Sequence, residues 1–283
     1  MILISWNIQW GRGVDGQVDL DRIVRTARAM GDFDVLCLQE VADNYPGLAG
    51  AGRANQFAQL AALLPDFHAV EGVAVDRWTD GVGRQRFGNM MLCKAAPLQV
   101  LRHQLPWPAD ANQASMPRAL LEVVLPAAGG PLRVLTTHLE YYSATQRAAQ
   151  IEALRQLQAQ ASGHEHMADR PNQRGKPFER RPRSSRGVLC GDFNCNSSDP
   201  MIARVQEAQG QAPGWKDAWP LAHPGQPHPM TLGIHDHQQW PDGSQCFDFF
   251  LVSADIADTV RRFEVDQATQ ASDHQPVLLE LDA

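Results

Sequence analysis

Short apolar runs separated by polar turns make up most of the 283-residue chain. Continuous apolar runs of about four to eight residues are typical of strands buried on both faces. Because such runs recur along the whole chain, strands dominate the predicted fold. They are predicted near residues 1–5, 34–38, 89–93, 98–105, 119–125, 132–137, 187–190, 245–252, 259–265 and 276–281.

Other segments repeat apolar residues at the spacing of an amphipathic helix. Leu20–Met30 follows Asp19, which suits the N-cap position, and a second helix over residues 54–64 stops at Pro65. A long helix is predicted from Ser143, where the sequence has the pattern of a capping box. Strands and helices mixed in this way predict an α/β sandwich, with two sheets inside and helices outside.

The stretch of residues 162–186 differs from the rest of the chain. It carries seven basic residues among Pro, Gly, Ser and Asn, and almost no apolar ones. This composition is typical of a mobile loop. Two hypotheses follow: the loop is a solvated insertion, or it is an arm that attracts phosphate to the mouth of a site near the strand at 187–190.

Composition narrows the functional classes. No apolar run approaches the roughly 18–20 residues that cross a bilayer, and no basic leader with a cleavage site opens the sequence. Five scattered cysteines are typical of reduced, buried thiols, so we expect a cytoplasmic protein, and we take it to be a monomer. A net charge of −7 disfavours tight, non-specific binding of nucleic acid, although a bound cation would supply the missing positive charge.

Polar side chains that can handle metal ions or protons stand where the apolar strands end. Each one alone is as well explained by a turn or by a satisfied core histidine. Several that converge on one rim of a sheet indicate a shared ligand, because a buried carboxylate without compensation is costly. These residues are Asn7, Glu40, His138, Asp192, Asn194, Asp273 and His274.

Carboxylates and amides dominate this set, with imidazoles in support. Oxygen ligands of this kind favour Mg²⁺, Mn²⁺ or Ca²⁺ over zinc. Beside such an ion, a carboxylate can orient or deprotonate water while donors hold the oxygens of a phosphate. The pattern therefore predicts a Mg²⁺- or Mn²⁺-dependent hydrolase that cleaves a phosphate ester by in-line attack of water.

Six short motifs, in order along the chain, resemble the endonuclease/exonuclease/phosphatase superfamily, which includes deoxyribonucleases, sphingomyelinases and inositol polyphosphate phosphatases. Each motif alone is weak, but six in order across nearly the whole chain are specific. The resemblance implies a four-layer α/β-sandwich, with two mixed β-sheets packed face to face and helices outside, in one catalytic domain over residues 1–283. The motifs are Ser5-Trp6-Asn7-Ile8, Leu38-Gln39-Glu40, Thr137-His138-Leu139, Gly191-Asp192-Phe193-Asn194, Phe247-Asp248-Phe249-Phe250 and Ser272-Asp273-His274.

The resemblance also implies roles for single residues around a metal ion. Glu40 would be the principal metal ligand, helped by Asn7 and Asp273. Asp192 would orient or deprotonate the attacking water, and Asn194 would hold water or phosphate.

A second group of residues would serve the phosphate. His274 would contact it or transfer a proton, and Asp248 would orient the ring of His274. By the same resemblance, His138 would be a second catalytic histidine, Arg118 a phosphate-binding arginine, and Asn89 a substrate-side residue near His138.

The substrate is less well defined by the sequence. A nuclease-type phosphodiester is favoured, and a lipid or small-molecule phosphodiester or phosphomonoester is the alternative; a family member that binds without turnover is the non-enzymatic one. Gln9 and His138 differ from abasic-site endonucleases, which carry an acid and a tyrosine there, so that activity is not expected. A base or an apolar headgroup would stack on Tyr141 together with Trp10, Tyr142, Trp107 and Trp240, or these residues would simply pack.

Overall fold

The computed structural model describes residues 1–282, which form twelve strands and five α-helices. The strands are β1 (Ile2–Asn7), β2 (Val35–Asp43), β3 (His68–Thr79), β4 (Gly83–Cys93), β5 (Gln99–Gln104), β6 (Ala119–Leu125), β7 (Leu132–His138), β8 (Gly187–Asp192), β9 (Trp215–Asp217), β10 (Asp248–Ser253), β11 (Val260–Val265) and β12 (Val277–Leu281). The helices are α1 (Leu20–Met30), α2 (Gln56–Leu63), α3 (Ala144–Glu165), α4 (Pro200–Gln206) and α5 (Ala218–Ala222).

The strands form two mixed six-stranded sheets. The first has the order β11-β12-β1-β2-β4-β3 and the second the order β5-β6-β7-β8-β10-β9. Each sheet contains one parallel pair near its centre, β1 with β2 and β7 with β8, and the other neighbours are antiparallel. Strands β1, β7 and β8 end at Asn7, His138 and Asp192, and β2 carries Glu40 in its second half.

Alternate residues along the central strands separate the core into three layers. Leu3 and Val35 of the first sheet pack against Val134 and Val188 of the second, which places one apolar layer between the sheets. A second layer lies under α1 and α2 on the outer face of the first sheet, and a third lies under α3 and α4 on the second. This confirms the predicted four-layer α/β-sandwich. In the part of the chain that the structure describes, no helix is long and apolar enough to cross a membrane.

The helix boundaries follow the predicted capping residues. The carboxylate of Asp19 accepts a hydrogen bond from the backbone N–H of Arg22 at 2.8 Å, which satisfies a free donor of the first turn of α1. Ser143 caps α3 in the same way, through the backbone N–H of Gln146. The side chain of Gln146 turns away to the carbonyl of Pro108, so only half of the predicted capping box forms.

The hairpin of β3 and β4 was not predicted over most of its length. Its outer part pairs Arg77 with Gln85 and Trp78 with Arg84, beyond Asp43, the last paired residue of β2. There the residues are mostly exposed, including Trp78 at 73%. Because most of this part is exposed, its sequence lacks the continuous apolar run that marked the other strands.

A buried ionic cluster replaces apolar packing on part of the outer face of the second sheet. Glu122 of β6 accepts two hydrogen bonds from Arg183, both at 2.9 Å, and one from His103. Arg133 of β7 lies 3.7 Å from the same carboxylate, and its guanidinium also contacts Gln158 of α3. Burial raises the pKa of Glu122, but the bonds from His103 and Arg183 and the nearby charge of Arg133 outweigh it and lower the pKa to about 2.

The predicted loop at 162–186 begins as helix and ends at the far side of the molecule from the strand ends described above. Helix α3 continues to Glu165, and the chain then returns to Gly187 at the amino end of β8. An extended strand rises about 3.3 Å per residue, so the six residues of β8 separate this segment from Asp192 by well over 15 Å.

Candidate active site

A cavity of about 510 Å³ lies at the carboxyl ends of the central strands. Six of the seven strand-end residues singled out in the sequence line it, and the seventh, Asn7, lies directly beneath, fully buried. The two sheets therefore contribute side chains to one site. Those that line the cavity are Glu40, His138, Asp192, Asn194, Asp273 and His274.

Asn7 joins the two sheets at the base of the cavity. Its amide nitrogen donates to Glu40 Oε1 at 3.1 Å and to Asp192 Oδ2 at 3.0 Å, while its oxygen accepts from the backbone N–H of Gln9. Glu40 belongs to the first sheet and Asp192 to the second. One side chain thus fixes the two carboxylates relative to each other.

Glu40 reaches the cavity because β2 is irregular at that point. The register of β2 with β4 shifts between Leu38 and Val41, so Glu40 stands in a β-bulge with a φ of +61°. A bulge re-aims a side chain, and a left-handed φ at a non-glycine residue costs about 1–3 kcal/mol. Gln9, Trp10 and Asn194 also line the cavity with positive φ values, so backbone strain concentrates at this site.

Asp192 is positioned by the glycine that precedes it. Gly191 has a φ of +134°, and a Cβ atom there would lie 1.9 Å from the carbonyl oxygen of Thr137 on the neighbouring strand. Beyond it, Asp192 Oδ1 accepts the backbone N–H of Asn194 at 2.9 Å. The side chain of Asn194 donates to the carbonyl of Leu139, which ties this turn to the end of β7.

His274 is held from both sides. Its Nδ1 lies 2.9 Å from Asp248 Oδ2, and the same oxygen accepts a hydrogen bond from the hydroxyl of Thr231. The indole N–H of Trp6 donates to the backbone carbonyl of His274. Its Nε2 faces Asp192 Oδ2 at 3.6 Å, so the ring bridges the two acids.

His138 completes the polar floor. Its Nε2 lies 3.4 Å from Asp192 Oδ2 and its Nδ1 lies 3.9 Å from Glu40 Oε1. Burial, and then the positive charges of Arg118 and His274, lower the pKa of His138 well below its ordinary value. This imidazole is therefore neutral at pH 7.

The acids and His274 are shifted in the opposite direction. Burial raises the pKa of Glu40 to about 7, with a further contribution from the charge of Asp273, and burial raises that of Asp192 to about 6. For His274, burial lowers the pKa, but the charges of Asp248 and Asp192 outweigh it and raise the pKa to about 10. At neutral pH the site thus holds a charged His274 beside partly uncompensated carboxylates.

Asp273 lies in a separate part of the floor. Its Oδ2 accepts from the side-chain amide of Gln9 at 3.0 Å and from the indole N–H of Trp240 at 3.2 Å. Gln9 in turn contacts Gln239. Neutral donors therefore orient this carboxylate, and no salt bridge to it forms in residues 1–282.

The donor chemistry of the cavity fits a divalent cation. Glu40, Asp192 and Asp273 are oxygen donors in one buried site, and the charges of the other two raise the pKa of Glu40. Within residues 1–282, no three His, Cys, Asp or Glu side chains already stand close enough to hold an ion. Mg²⁺ usually takes one or two carboxylates and keeps several waters, so it does not require such a cluster.

The residues predicted to bind substrate fall into two groups. Arg118 and Tyr141 line the cavity, and Arg118 Nε donates to Glu140 at 3.2 Å. Asn89 is buried, donates to the backbone carbonyl of Ala119, and is absent from the cavity lining within residues 1–282. In the described residues, Asn89 therefore has no contact with the cavity that would support its role near His138, and that role stays a prediction.

Aromatic side chains form one wall of the cavity. The ring of Tyr141 meets Tyr142 edge-on, with centroids 4.8 Å apart, and Trp240 at 6.1 Å. Tyr141 is 39% exposed and Tyr142 is 60% exposed, so much of this surface is open to a ligand. Trp107, which the sequence grouped with them, does not line the cavity.

Sequence reasoning missed four residues of the site. Glu140, Arg77 and Gln239 line the cavity, and Thr231 holds Asp248 from below. Glu140 stands two residues after His138 at the same strand end, a position that could have signalled it. Arg77 lies in the unpredicted hairpin, and the other two lie in a long connection without a periodic pattern.

The hypothesis that residues 162–186 form an arm at the mouth of the site is wrong. No residue of this segment lines the cavity in the described part of the chain. The segment precedes β8 in sequence, but Asp192 stands at the other end of that strand. Adjacency along the chain was mistaken for adjacency in space.

The sequence profile of the Endonuclease/Exonuclease/phosphatase family matches residues 4–274. The chain belongs to this family. Its membership supports the prediction of a phosphoester hydrolase. No curated protein matches the sequence.

Solved structures with low sequence identity share the fold of this family member. An endonuclease/exonuclease/phosphatase from Beutenbergia cavernae DSM 12333 is 24% identical with a TM-score of 0.65, over 99% of this chain and 70% of that one. A mannosyl-6-phosphatase from Bacteroides thetaiotaomicron VPI-5482 is 15% identical with a TM-score of 0.65, over 99% of both chains. A 3′ phosphatase from Neisseria, bound to a product DNA hairpin, is 17% identical with a TM-score of 0.63, over 100% of both.

Proposed function

We propose that this protein is a Mg²⁺- or Mn²⁺-dependent phosphodiesterase that hydrolyses its substrate by in-line attack of water. The observation that supports this most is the hydrogen-bonded set of Asn7, Glu40, Asp192 and the two histidines, drawn from both sheets into one cavity. Glu40, with Asn7 and Asp273, would hold the ion. When bound, the ion supplies positive charge to an oxygen of the phosphate.

Asp192 is suited to accept a proton from the attacking water. Its pKa of about 6 leaves most of it ionised at pH 7, yet brings its basicity closer to that of a useful general base. Asn7 and the backbone N–H of Asn194 each bond one oxygen of this carboxylate. The carboxylate is thereby fixed in one orientation, which general base catalysis requires.

His274 is suited to stabilise the charge that develops on the phosphate. It is protonated at neutral pH, because Asp248 and Asp192 raise its pKa to about 10. With Nδ1 bonded to Asp248, the Nε2–H points toward Asp192 and the cavity. A charged donor held in place beforehand lowers the barrier without reorganisation during the reaction.

A nuclease-type phosphodiester is the leading substrate. The aromatic wall of Tyr141, Tyr142 and Trp240 offers a stacking surface for a base. A lipid or small-molecule phosphodiester is the second candidate, because Arg77 and Arg118 are the Lys or Arg residues that line the cavity in the described chain, and Arg118 is paired with Glu140. So few free cations suit a substrate with one phosphate better than a polyanion.

A substrate panel tests both candidates. Plasmid DNA, an abasic duplex, sphingomyelin, an inositol polyphosphate and bis-p-nitrophenyl phosphate would each be incubated with Mg²⁺, Mn²⁺ or EDTA. We expect metal-dependent hydrolysis of bis-p-nitrophenyl phosphate and of one natural class, and none in EDTA. Full activity in EDTA would remove the metal from the proposal, and no turnover of any substrate would favour a family member that only binds.

A further inference from the structure

The segment of residues 166–186 carries a charge opposite to that of the rest of the molecule. It contains seven Lys or Arg residues and two acids, a net charge of +5, whereas the whole chain carries −7. The remaining residues therefore carry −12. A positive segment this concentrated on an acidic protein indicates an anionic partner.

The segment is tied to the protein body at several points. Arg183 is 8% exposed and forms the two bonds to Glu122 described above. Arg180 donates to the carbonyls of His164 and Glu165 at the end of α3, both at 2.8 Å. The carboxylate of Glu165 accepts from Ser184. The segment therefore presents a defined surface instead of a free arm.

That surface combines exposed cations with exposed apolar side chains. Arg174 and Arg181 have side chains that are 73% and 56% exposed, and each forms one long salt bridge, to Asp169 at 3.6 Å and to Glu179 at 3.7 Å. Phe178 is 79% exposed and Met167 is 49% exposed. We call this surface the basic face, and define it by Met167, Arg170, Arg174, Lys176, Phe178 and Arg181.

A concavity lies within the basic face. It has a volume of about 310 Å³, and arginines and Phe178 line it together with Leu101 of β5, the edge strand of the second sheet. Guanidinium groups around an apolar floor match an anionic headgroup with attached hydrocarbon. An isolated exposed phenylalanine is unremarkable, but one surrounded by exposed cations is typical of proteins that lie on membranes.

We propose that the basic face docks on the surface of a bilayer that contains anionic phospholipid. Four exposed cations supply attraction to the headgroups, and Phe178 and Met167 supply the apolar contact that reversible membrane binding also needs. Single-stranded nucleic acid is a weaker fit, because the basic face offers one aromatic ring and stacking of successive bases needs several.

The position of the basic face makes this inference independent of the proposed catalytic function. It lies at the end of β8 opposite Asp192, and none of its residues lines the catalytic cavity in the described chain. A docked molecule would therefore hold its cavity away from the bilayer, open to substrates in solution. Docking would change where the protein acts and leave its turnover of a soluble substrate unchanged.

Vesicle co-sedimentation of the full-length protein tests the inference. Phosphatidylcholine vesicles, with and without phosphatidylglycerol, would be compared at low and high NaCl. We expect binding only with phosphatidylglycerol, and weaker binding as salt rises. The variant with Arg170, Arg174, Lys176 and Arg181 all changed to Gln should bind about 1,000-fold more weakly, and Phe178→Ser alone about tenfold more weakly.

A control variant removes the same number of exposed cations elsewhere, with Arg25, Arg28, Lys216 and Arg261 changed to Gln. It should bind vesicles within about twofold of the wild type, because attraction falls off within a Debye length. The proposal would be overturned if this control lost as much vesicle binding as the four-residue variant of the basic face. It would also be overturned if the wild type bound vesicles made of phosphatidylcholine alone. Binding of single-stranded RNA through the basic face without any binding of lipid would overturn it as well.

Circular dichroism melting would show whether each variant folds. If the four-residue variant does not fold, Phe178→Ser still tests the proposal, because it leaves every charge in place. Hydrolysis of bis-p-nitrophenyl phosphate gives a separate readout. We expect it to be unchanged in all variants. If the wild type lacks this activity, the catalytic proposal fails while the vesicle result still decides the docking proposal.

Discussion

Replacement of Glu122 by Gln tests how this fold tolerates charge in its interior. The side chain is fully buried and faces Arg133, Arg183 and His103 on the outer side of the second sheet. Gln keeps the shape of Glu but removes its negative charge. Two guanidinium groups would then remain in a buried place without a counter-charge.

The magnitude follows from the pKa of Glu122. An ordinary value of 4.5 in the unfolded chain and about 2 in the folded protein correspond to about 3 kcal/mol of stability. The folded-state pKa is the lower one, so this contribution is fully present above about pH 4.5. It is lost as the pH falls from there toward 2. At pH 7 we expect Glu122→Gln to lower the free energy of unfolding by about 3–5 kcal/mol.

Urea unfolding followed by circular dichroism, from pH 7 down to about pH 3, measures this directly. The gap between the wild type and Glu122→Gln should narrow below about pH 4.5, because protonation of Glu122 makes the wild type resemble the variant. Asp66→Asn, an exposed acid on the turn before β3, should lie within about 0.5 kcal/mol of the wild type throughout. Parallel stability curves for the wild type and Glu122→Gln would refute the reasoning.

Four further predictions concern the active site. Asp192→Asn should lower kcat on bis-p-nitrophenyl phosphate about 1,000-fold with little change in melting temperature; near-normal kcat would exclude it as the base. Glu40→Ala should raise the Mg²⁺ concentration for half-maximal activity at least about tenfold, and an unchanged metal titration would contradict its role as ligand. Gly191→Ala should destabilise the fold by about 3 kcal/mol, seen in urea unfolding, because a Cβ there meets a backbone carbonyl at 1.9 Å; unchanged stability would show that the strands can separate freely. Asp248→Asn removes a charge that raises the pKa of His274, so the alkaline limit of the pH–kcat profile should move down from about pH 10, whereas an unmoved limit would disconnect the two residues.

The central strands could be predicted from sequence because both of their faces are buried. Strand β8, for example, lies between the apolar layer of the sheets and the layer under α3, which leaves no position for a polar residue until Asp192. The chemistry therefore stood out at the strand ends. That is why Asn7, Glu40 and His138 could be named before their contacts were known.

The parts that could not be predicted depend on contacts between distant segments. Glu122 and Arg183 are 61 residues apart: Glu122 is the one acid in the apolar run of β6, and Arg183 lies in a polar stretch where nothing in the local pattern indicates burial. Thr231 and Asp248 are 17 residues apart, across a connection with no periodic spacing. A single sequence states the chemical type of such residues but not their partners, so both the ionic cluster and the hydroxyl of Thr231 that supports Asp248 were missed.

Two groups of buried carboxylates in this molecule show how environment separates stability from function. Glu122 is surrounded by two guanidinium groups and an imidazole, and its pKa falls to about 2, so its charge is compensated within the chain. Glu40 and Asp192 are also withdrawn from water, but here burial dominates. It raises the pKa of Glu40 to about 7, with a contribution from the charge of Asp273, and that of Asp192 to about 6, with a contribution from the charge of Asp248. Buried acids that repel each other destabilise a fold unless another charge compensates them. The opposite directions of these pKa shifts thus identify Glu40 and Asp192 as the group that a cation would complete. In titrations of metal-free and Mg²⁺-loaded protein, the metal should change the pKa values of Glu40 and Asp192 and leave that of Glu122 unchanged.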